Sequence, residues 1–119
     1  MNPFHLILAL TALLGAVLLI RRFLRGAGGR IPPERLAELR TRGAVIVDVR
    51  TAEEFARGNA PGSLNIPLDV LAERLGELDR SKPVLLCCAS GARSSWALRL
   101  LQREGFTDAH NAGAWRKLC

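Results

Sequence analysis

From Phe4 to Ile20 the chain reads FHLILALTALLGAVLLI, seventeen residues without an Asp, Glu, Lys or Arg. A helix that is apolar on every side needs apolar surroundings on every side. At about 1.5 Å per residue this run spans roughly 25 Å, and Phe23 and Leu24 extend it toward the ~30 Å of a bilayer's hydrocarbon core. Residues 4–24 are therefore expected to form one transmembrane anchor helix, with residues 1–3 as a short tail. A buried apolar helix and an uncleaved export signal are the competing readings.

A cleaved signal peptide carries a basic residue ahead of the apolar run and a small-residue cleavage pattern behind it. This segment has neither, and Arg21, Arg22 and Arg25 follow it at once. Basic residues collect on the cytoplasmic flank of a membrane helix. The expected topology is a single pass through the inner (cytoplasmic) membrane, N-terminus outside and everything after the helix in the cytoplasm. The flanking arginines would meet anionic headgroups.

Those three arginines supply half of the formal charge of +6 and leave a nearly balanced remainder, 14 basic against 11 acidic residues. No basic stripe is interleaved with aromatic residues, so nucleic-acid binding is not expected. Cys87, Cys88 and Cys119 are odd in number, and two of them are neighbours, which argues against a disulfide framework and suits a reducing compartment. No CxxC occurs, and His5 and His110 offer no ligand spacing, so no metal site is expected.

Residues 25–30, RGAGGR, read as a basic, Gly-rich linker. The 119 residues leave room for one small domain, expected over 31–119. Pro33 suits the first turn of a helix that Gly43 would end. AVIVDV (44–49) and PVLLCC (83–88) are unbroken apolar runs, the pattern of strands covered on both faces. Between them Thr51 and Glu54 form a capping box ahead of a short helix closed by Gly58, and LNIP (64–67) reads as a short strand. Leu68, Leu71, Leu75 and Leu78 recur at helical spacing, a second helix over 94–104 turns Trp96, Ala97, Leu100 and Leu101 inward, and a last short strand covers 106–111. The alternation predicts an α/β domain with a mainly parallel central sheet flanked by helices.

A strand ending in Cys87 and Cys88, then five small or basic residues, then a helix, sets a loop at the carboxyl end of the sheet and the positive end of a helix. Ala89, Ser90, Gly91 and Ala92 are small enough for the backbone to curl and aim its amides at one centre. A thiol held there ionises more readily, helped by Arg93. One of the two cysteines is expected to be a nucleophile and the other to be packing. Ser94 is expected to cap the following helix.

DVRTAEEF (48–55), GNAPGSLNIP (58–67) and CASGARS (88–94) resemble, in order and spacing, the three signatures of a single-domain rhodanese, and LQREGFTDAHNAGA (101–114) is similar to that family's closing helix and strand. The resemblance covers about residues 31–118. It implies a rhodanese-like fold and a sulfurtransferase. Cys88 would take the outer sulfur of thiosulfate or a related small anionic donor as a persulfide and pass it to a thiol or cyanide, with no metal or organic cofactor required. It also implies that Cys88 opens a loop of Cys88, Ala89, Ser90, Gly91, Ala92 and Arg93 that binds the anion, and that Asp48 and Arg50 are supporting positions nearby, Arg50 pairing with Glu54.

The sequence departs from the family at Asn59 and Ala60, which replace its usual His and Ile, and at Ala114, where a second glycine is common. Counted from Cys87, the same letters give the longer loop of a Cys-dependent phosphatase or arsenate reductase. A membrane-tethered adaptor or sulfur carrier serving a membrane protein partner is the third reading.

Overall fold

The computed structural model describes residues 2–26 and 31–119. Helix α1 runs Pro3–Gly26, and its stretch Pro3–Arg21 is long and apolar enough to cross a membrane. Its large apolar side chains from Phe4 to Ile20 lie exposed. Gly26 still belongs to this helix, and the rest of the linker, residues 27–30, lies outside the described residues.

The domain is a four-stranded parallel sheet in the order β2-β1-β3-β4, with β1 Val45–Asp48, β2 Leu64–Asn65, β3 Val84–Cys88 and β4 Ala109–Ala114. Parallel strands need crossovers, and these cover both faces of the sheet. Helix α2 (Pro33–Thr41) and the closing 3₁₀ turn Trp115–Leu118 contribute Leu39 and Leu118 to one core, with Ile46, Leu85 and Cys87. Helix α4 (Ala92–Arg103) contributes Ala97, Leu98 and Leu101 to the other, with Val47, Leu86 and Cys88. Side chains alternate along a strand. Two adjacent cysteines on β3 therefore face opposite sides of the sheet, and only Cys88 lies on the face that α4 covers.

Three elements differ from the sequence expectation. Leu68–Leu78 is two 3₁₀ segments, Leu68–Glu73 and Leu75–Glu77, in place of one α-helix. A spacing of three residues serves a 3₁₀ turn as well as an α-turn, and Leu71 and Leu78 are buried either way. Helix α4 begins at Ala92, two residues early, and its buried stripe is Ser94, Ala97, Leu98 and Leu101. That stripe leaves Trp96 on the outside, 63% exposed, so it is not a core residue. The last strand is displaced to 109–114, and Phe106 packs into the core ahead of it.

Candidate active site

Strand β1 ends in Asp48, and two residues later the chain turns Arg50 back upon it. The Arg50 amide and Nε donate to Asp48 Oδ1 at 3.0 Å, and Nη2 donates to Oδ2 at 2.7 Å. Both side chains are essentially out of solvent, 5% and 0% exposed. Arg50 Nη2 also donates to the Gly58 carbonyl at 2.7 Å, Nη1 to the Glu54 carbonyl at 3.3 Å, and the guanidinium lies 4.5 Å from the Trp115 ring centre. The Asn65 amide closes this corner by donating to the Asp48 and Arg50 carbonyls, each at 3.0 Å.

The expected ion pair of Arg50 with Glu54 is replaced by two others. Arg50 has its carboxylate in Asp48, and Glu54 is taken by Arg93, whose Nη1 and Nη2 donate to Oε1 and Oε2 at 2.6 and 2.9 Å. Helix α3 (Ala52–Ala56) sets Glu54 there through the capping box foreseen, with the Glu54 amide donating to Thr51 Oγ1 and the carboxylate receiving the Thr51 amide. The Arg93 guanidinium, and after it the Thr51 amide, draw the Glu54 pKa down to about 2. Arg93 is thus a bridge from α4 to α3 over the loop, and the carboxylate already neutralises the charge expected to face the donor.

The loop from Cys88 to Arg93 wraps the Cys88 sulfur. The Gly91 amide donates to Sγ at 3.0 Å and the Ser94 amide at 3.4 Å, and the Ser94 hydroxyl stands 3.4 Å away. Burial opposes ionisation of this thiol. The Ser94 hydroxyl and the amides of Ser94, Ser90 and Gly91 favour it and prevail, so the pKa lies below that of an ordinary cysteine. Cys87 has the opposite fate. Fully buried on the other face, its pKa is pushed up to about 12 by desolvation and then by the Asp48 charge. Cys119 is exposed at the far end of the chain, and His110 pairs with Asp108 at 2.6 Å without reaching the loop.

Ser94 is not the helix cap. Gly91 occupies that position, in the left-handed region at φ +102°, and Ser94 sits buried in the first turn. Its hydroxyl donates to Asn111 Oδ1 at 2.7 Å, and Asn111 in turn donates to the Gly91 carbonyl at 3.1 Å.

Two clefts flank the loop. One, of about 250 Å³, is lined by Arg50, Glu54, Arg57, Gly58, Ala89, Trp115 and Arg116. The other, of about 310 Å³, is lined by Val49, Thr51, Pro67, Leu68, Asp69 and Arg93. A larger cleft of about 570 Å³ on the outer face of α4 contains Trp96, Arg99, Gln102 and Arg103 and no loop residue. The first of the two loop clefts is small and bordered by Arg50, Arg57 and Arg116, which suits a compact anion more than a large apolar ligand, whereas the second is largely apolar and its one arginine, Arg93, is already paired.

A parallel α/β sheet with a thiol at a strand end, cradled by backbone amides, is matched by a family model. The model for the rhodanese-like domain covers residues 32–117. The chain belongs to the rhodanese family. It is 37% identical over 82 residues to thiosulfate sulfurtransferase GlpE of Pseudomonas savastanoi pv. phaseolicola, covering 69% of this chain and 77% of that one. It is similar to the human single-domain sulfurtransferase TSTD1, at TM-score 0.62 and 32% identity over 74% of this chain and 92% of that one. It is also similar to a rhodanese with anions from E. coli, at TM-score 0.60 and 29% identity over 64% and 92%. At family level the domain is a sulfurtransferase, an enzyme of the rhodanese type, acting between a sulfur donor and an acceptor.

Three residues of this rhodanese site carry little signal in the sequence. Asn111 reads as the end of a strand, and nothing in its spacing points to the loop. Trp115 stacks on Arg50 and lines one cleft, and its sequence neighbours point to neither. Gly58 reads as a helix stop, and its lack of a side chain serves a second end, since a Cβ there would come within 3.0 Å of the Trp115 ring.

Proposed function

We propose that this rhodanese domain transfers sulfane sulfur from thiosulfate or a related small anion through a persulfide on Cys88. The observation that carries the reading is the pair of backbone amides, Gly91 and Ser94, donating to the Cys88 sulfur. In the first step the Cys88 thiolate attacks the outer sulfur of the donor. A bond forms from Sγ to that sulfur, the sulfur–sulfur bond of thiosulfate breaks, and sulfite leaves with the electron pair. In the second step a thiolate or cyanide attacks the outer sulfur, and the pair returns to Sγ. Both steps move anionic charge at the loop, where Ala89, Ser90, Gly91, Ala92 and Arg93 present amides and the start of α4. Asp48 and Arg50 hold the neighbouring wall rigid, and their part is structural.

Intact mass after brief thiosulfate treatment tests this directly. Wild type and Cys87→Ser should each gain the mass of one sulfur atom, and Cys88→Ser should gain none. Sulfur loading that depends on Cys87, or none in any form, would refute the reading. The phosphatase alternative has less support, because it needs a nucleophile at Cys87, a thiol on the opposite face of the sheet with its ionisation suppressed.

The apolar helix α1 fits a membrane anchor or a signal sequence. We infer an anchor, from the arginines that follow it, with the rhodanese domain in the cytoplasm and within reach of a membrane protein partner. A reporter fused after Cys119 should then be shielded from protease added to spheroplasts and digested once these are lysed. Digestion in intact spheroplasts would reverse the orientation.

A further inference from the structure

Asn111 lies 3% exposed on β4, beneath the loop, and makes three hydrogen bonds, two of which have their directions fixed by their partners. Its Nδ2 donates to the Gly91 carbonyl at 3.1 Å, and its Oδ1 accepts from the Gly113 amide at 2.9 Å. A carbonyl cannot donate and an amide N–H cannot accept, so the orientation of the Asn111 amide is settled, and Oδ1 is an acceptor only. The Ser94 hydroxyl, 2.7 Å from Oδ1, must therefore give its one proton to Asn111. What remains on Ser94 Oγ toward Cys88, 3.4 Å away, is lone pairs. With Cys88 as a thiol the chain is complete: Sγ–H donates to Ser94, and Ser94 donates to Asn111.

Ionisation breaks that chain. A thiolate facing lone pairs is repelled, and the hydroxyl must swing from Oδ1 to the sulfur to stabilise it. Asn111 Oδ1 then keeps only the Gly113 amide. In a persulfide Sγ carries no charge, the negative charge lies on the outer sulfur, and the Ser94 proton can stay on Asn111.

We propose that Asn111 is a positioning residue for Cys88: by claiming the single hydroxyl proton of Ser94, it makes the free thiolate the one state in which a buried hydrogen bond is given up. The persulfide half of this statement rests on the sulfur-transfer reading, and the thiolate half does not. The consequence is a resting thiolate kept less stable, and so more nucleophilic, than the amide cradle together with an unclaimed Ser94 hydroxyl would make it.

Other charges near Cys88 are independent of Asn111. Arg93 on α4 feels the Cys88 charge while held by Glu54 of α3. The neighbouring Cys87 on β3 couples to Cys88 and to the Asp48 and Arg50 pair at the end of β1. From β4 the side chain presented to the loop is the neutral Asn111.

The test is the pH dependence of Cys88 alkylation by iodoacetamide, followed by peptide mass in the detergent-solubilised full chain. Alkylation needs no sulfur donor, so its outcome is separate from that of the thiosulfate experiment. Asn111→Leu frees the Ser94 proton for the thiolate, and the profile should move to lower pH. Below the midpoint the reaction should run about two- to tenfold faster, the worth of one buried hydrogen bond. In a Ser94→Ala background the same substitution should leave the profile where it is. A profile that stays put or moves to higher pH in Asn111→Leu overturns the proposal, as does an equal shift without Ser94. Should Asn111→Leu fail to fold, the infrared S–H stretch of Cys88, isolated by difference from Cys88→Ala, decides the matter in the native chain. It should be lowered by hydrogen bonding and should recover in Ser94→Ala, and an unshifted band overturns the proposal.

Discussion

Arg50→Leu should cost the domain about 3–5 kcal/mol, the penalty for stranding one partner of a buried ion pair. A domain of this kind has only about 5–15 kcal/mol to lose. The expectation is large because Arg50 is a hub. Without its side chain Asp48 keeps just the residue-50 amide among the donors from that residue, the Gly58 and Glu54 carbonyls each lose a donor, and Trp115 loses the cation beneath its ring. A surface pair of the same chemistry, such as Arg74 with Glu77, contributes far less, since water and salt screen it. The measurement is urea unfolding of the full chain followed by tryptophan fluorescence. The double variant Asp48→Leu with Arg50→Leu should recover much of the loss, because it removes the stranded charge as well. A single-variant loss below about 1 kcal/mol would mean that water reaches Asp48, and that the corner is not the dry pair it looks.

The pair also shows what a sequence discloses. The two apolar runs, 44–49 and 83–88, could be recognised as central strands because burial on both faces removes polar residues from them. The capping box at Thr51 and Glu54 was legible because its residues sit three apart in one turn, where sequence spacing is spatial distance. Asp48 with Arg50, two residues apart across a strand end, and Glu54 with Arg93, thirty-nine apart, depend on how the elements pack. The family resemblance implies that Arg50 pairs with Glu54. The corner instead turns Arg50 inward, and the fold brings α4 to Glu54 from elsewhere in the chain. Which cysteine enters the loop was open to the letters alone. The pleat sets the two on opposite faces, and the packing of α4 and the loop amides makes the loop's cysteine Cys88.

The helical expectation for 68–78 failed for a related reason. Leucines at spacings of three and four report a buried stripe, and Leu71 and Leu78 are buried as foreseen, but the spacing does not fix how tightly the backbone winds. Trp96 differs because the buried stripe of α4 runs through Ser94, Ala97, Leu98 and Leu101, and a serine in it carries no hydrophobic signal. Buried Ser94 belongs to the stripe, and its hydroxyl belongs to the site.

The loop itself makes the second large prediction. Gly91 stands at φ +102°, and its amide donates to Cys88 Sγ at 3.0 Å. A Cβ on that residue would be strained by the backbone conformation, at a cost of about 1–2 kcal/mol. It would also come within 3.3 Å of the Gly113 Cα, a backbone atom of the adjacent strand that cannot swing aside as a side chain does. The loop can relieve both by turning the residue back toward negative φ, and that rotation carries the amide away from the sulfur. Gly91→Ala should therefore lower sulfur-transfer turnover by about 10²–10³, the effect of removing one fixed donor from a site of developing charge. Its alkylation profile at Cys88 should move to higher pH, since the thiolate loses a donor. Gly43→Ala is the control. It meets the same kind of strain at φ +79° with nothing within 4 Å, in the turn between α2 and β1. It should lose comparable stability and keep its turnover. If the two variants lose activity alike, the harm comes from general destabilisation and the Gly91 amide has no special part in the chemistry. If only Gly91→Ala fails while its unfolding midpoint tracks that of Gly43→Ala, the amide cradle is what makes Cys88 reactive.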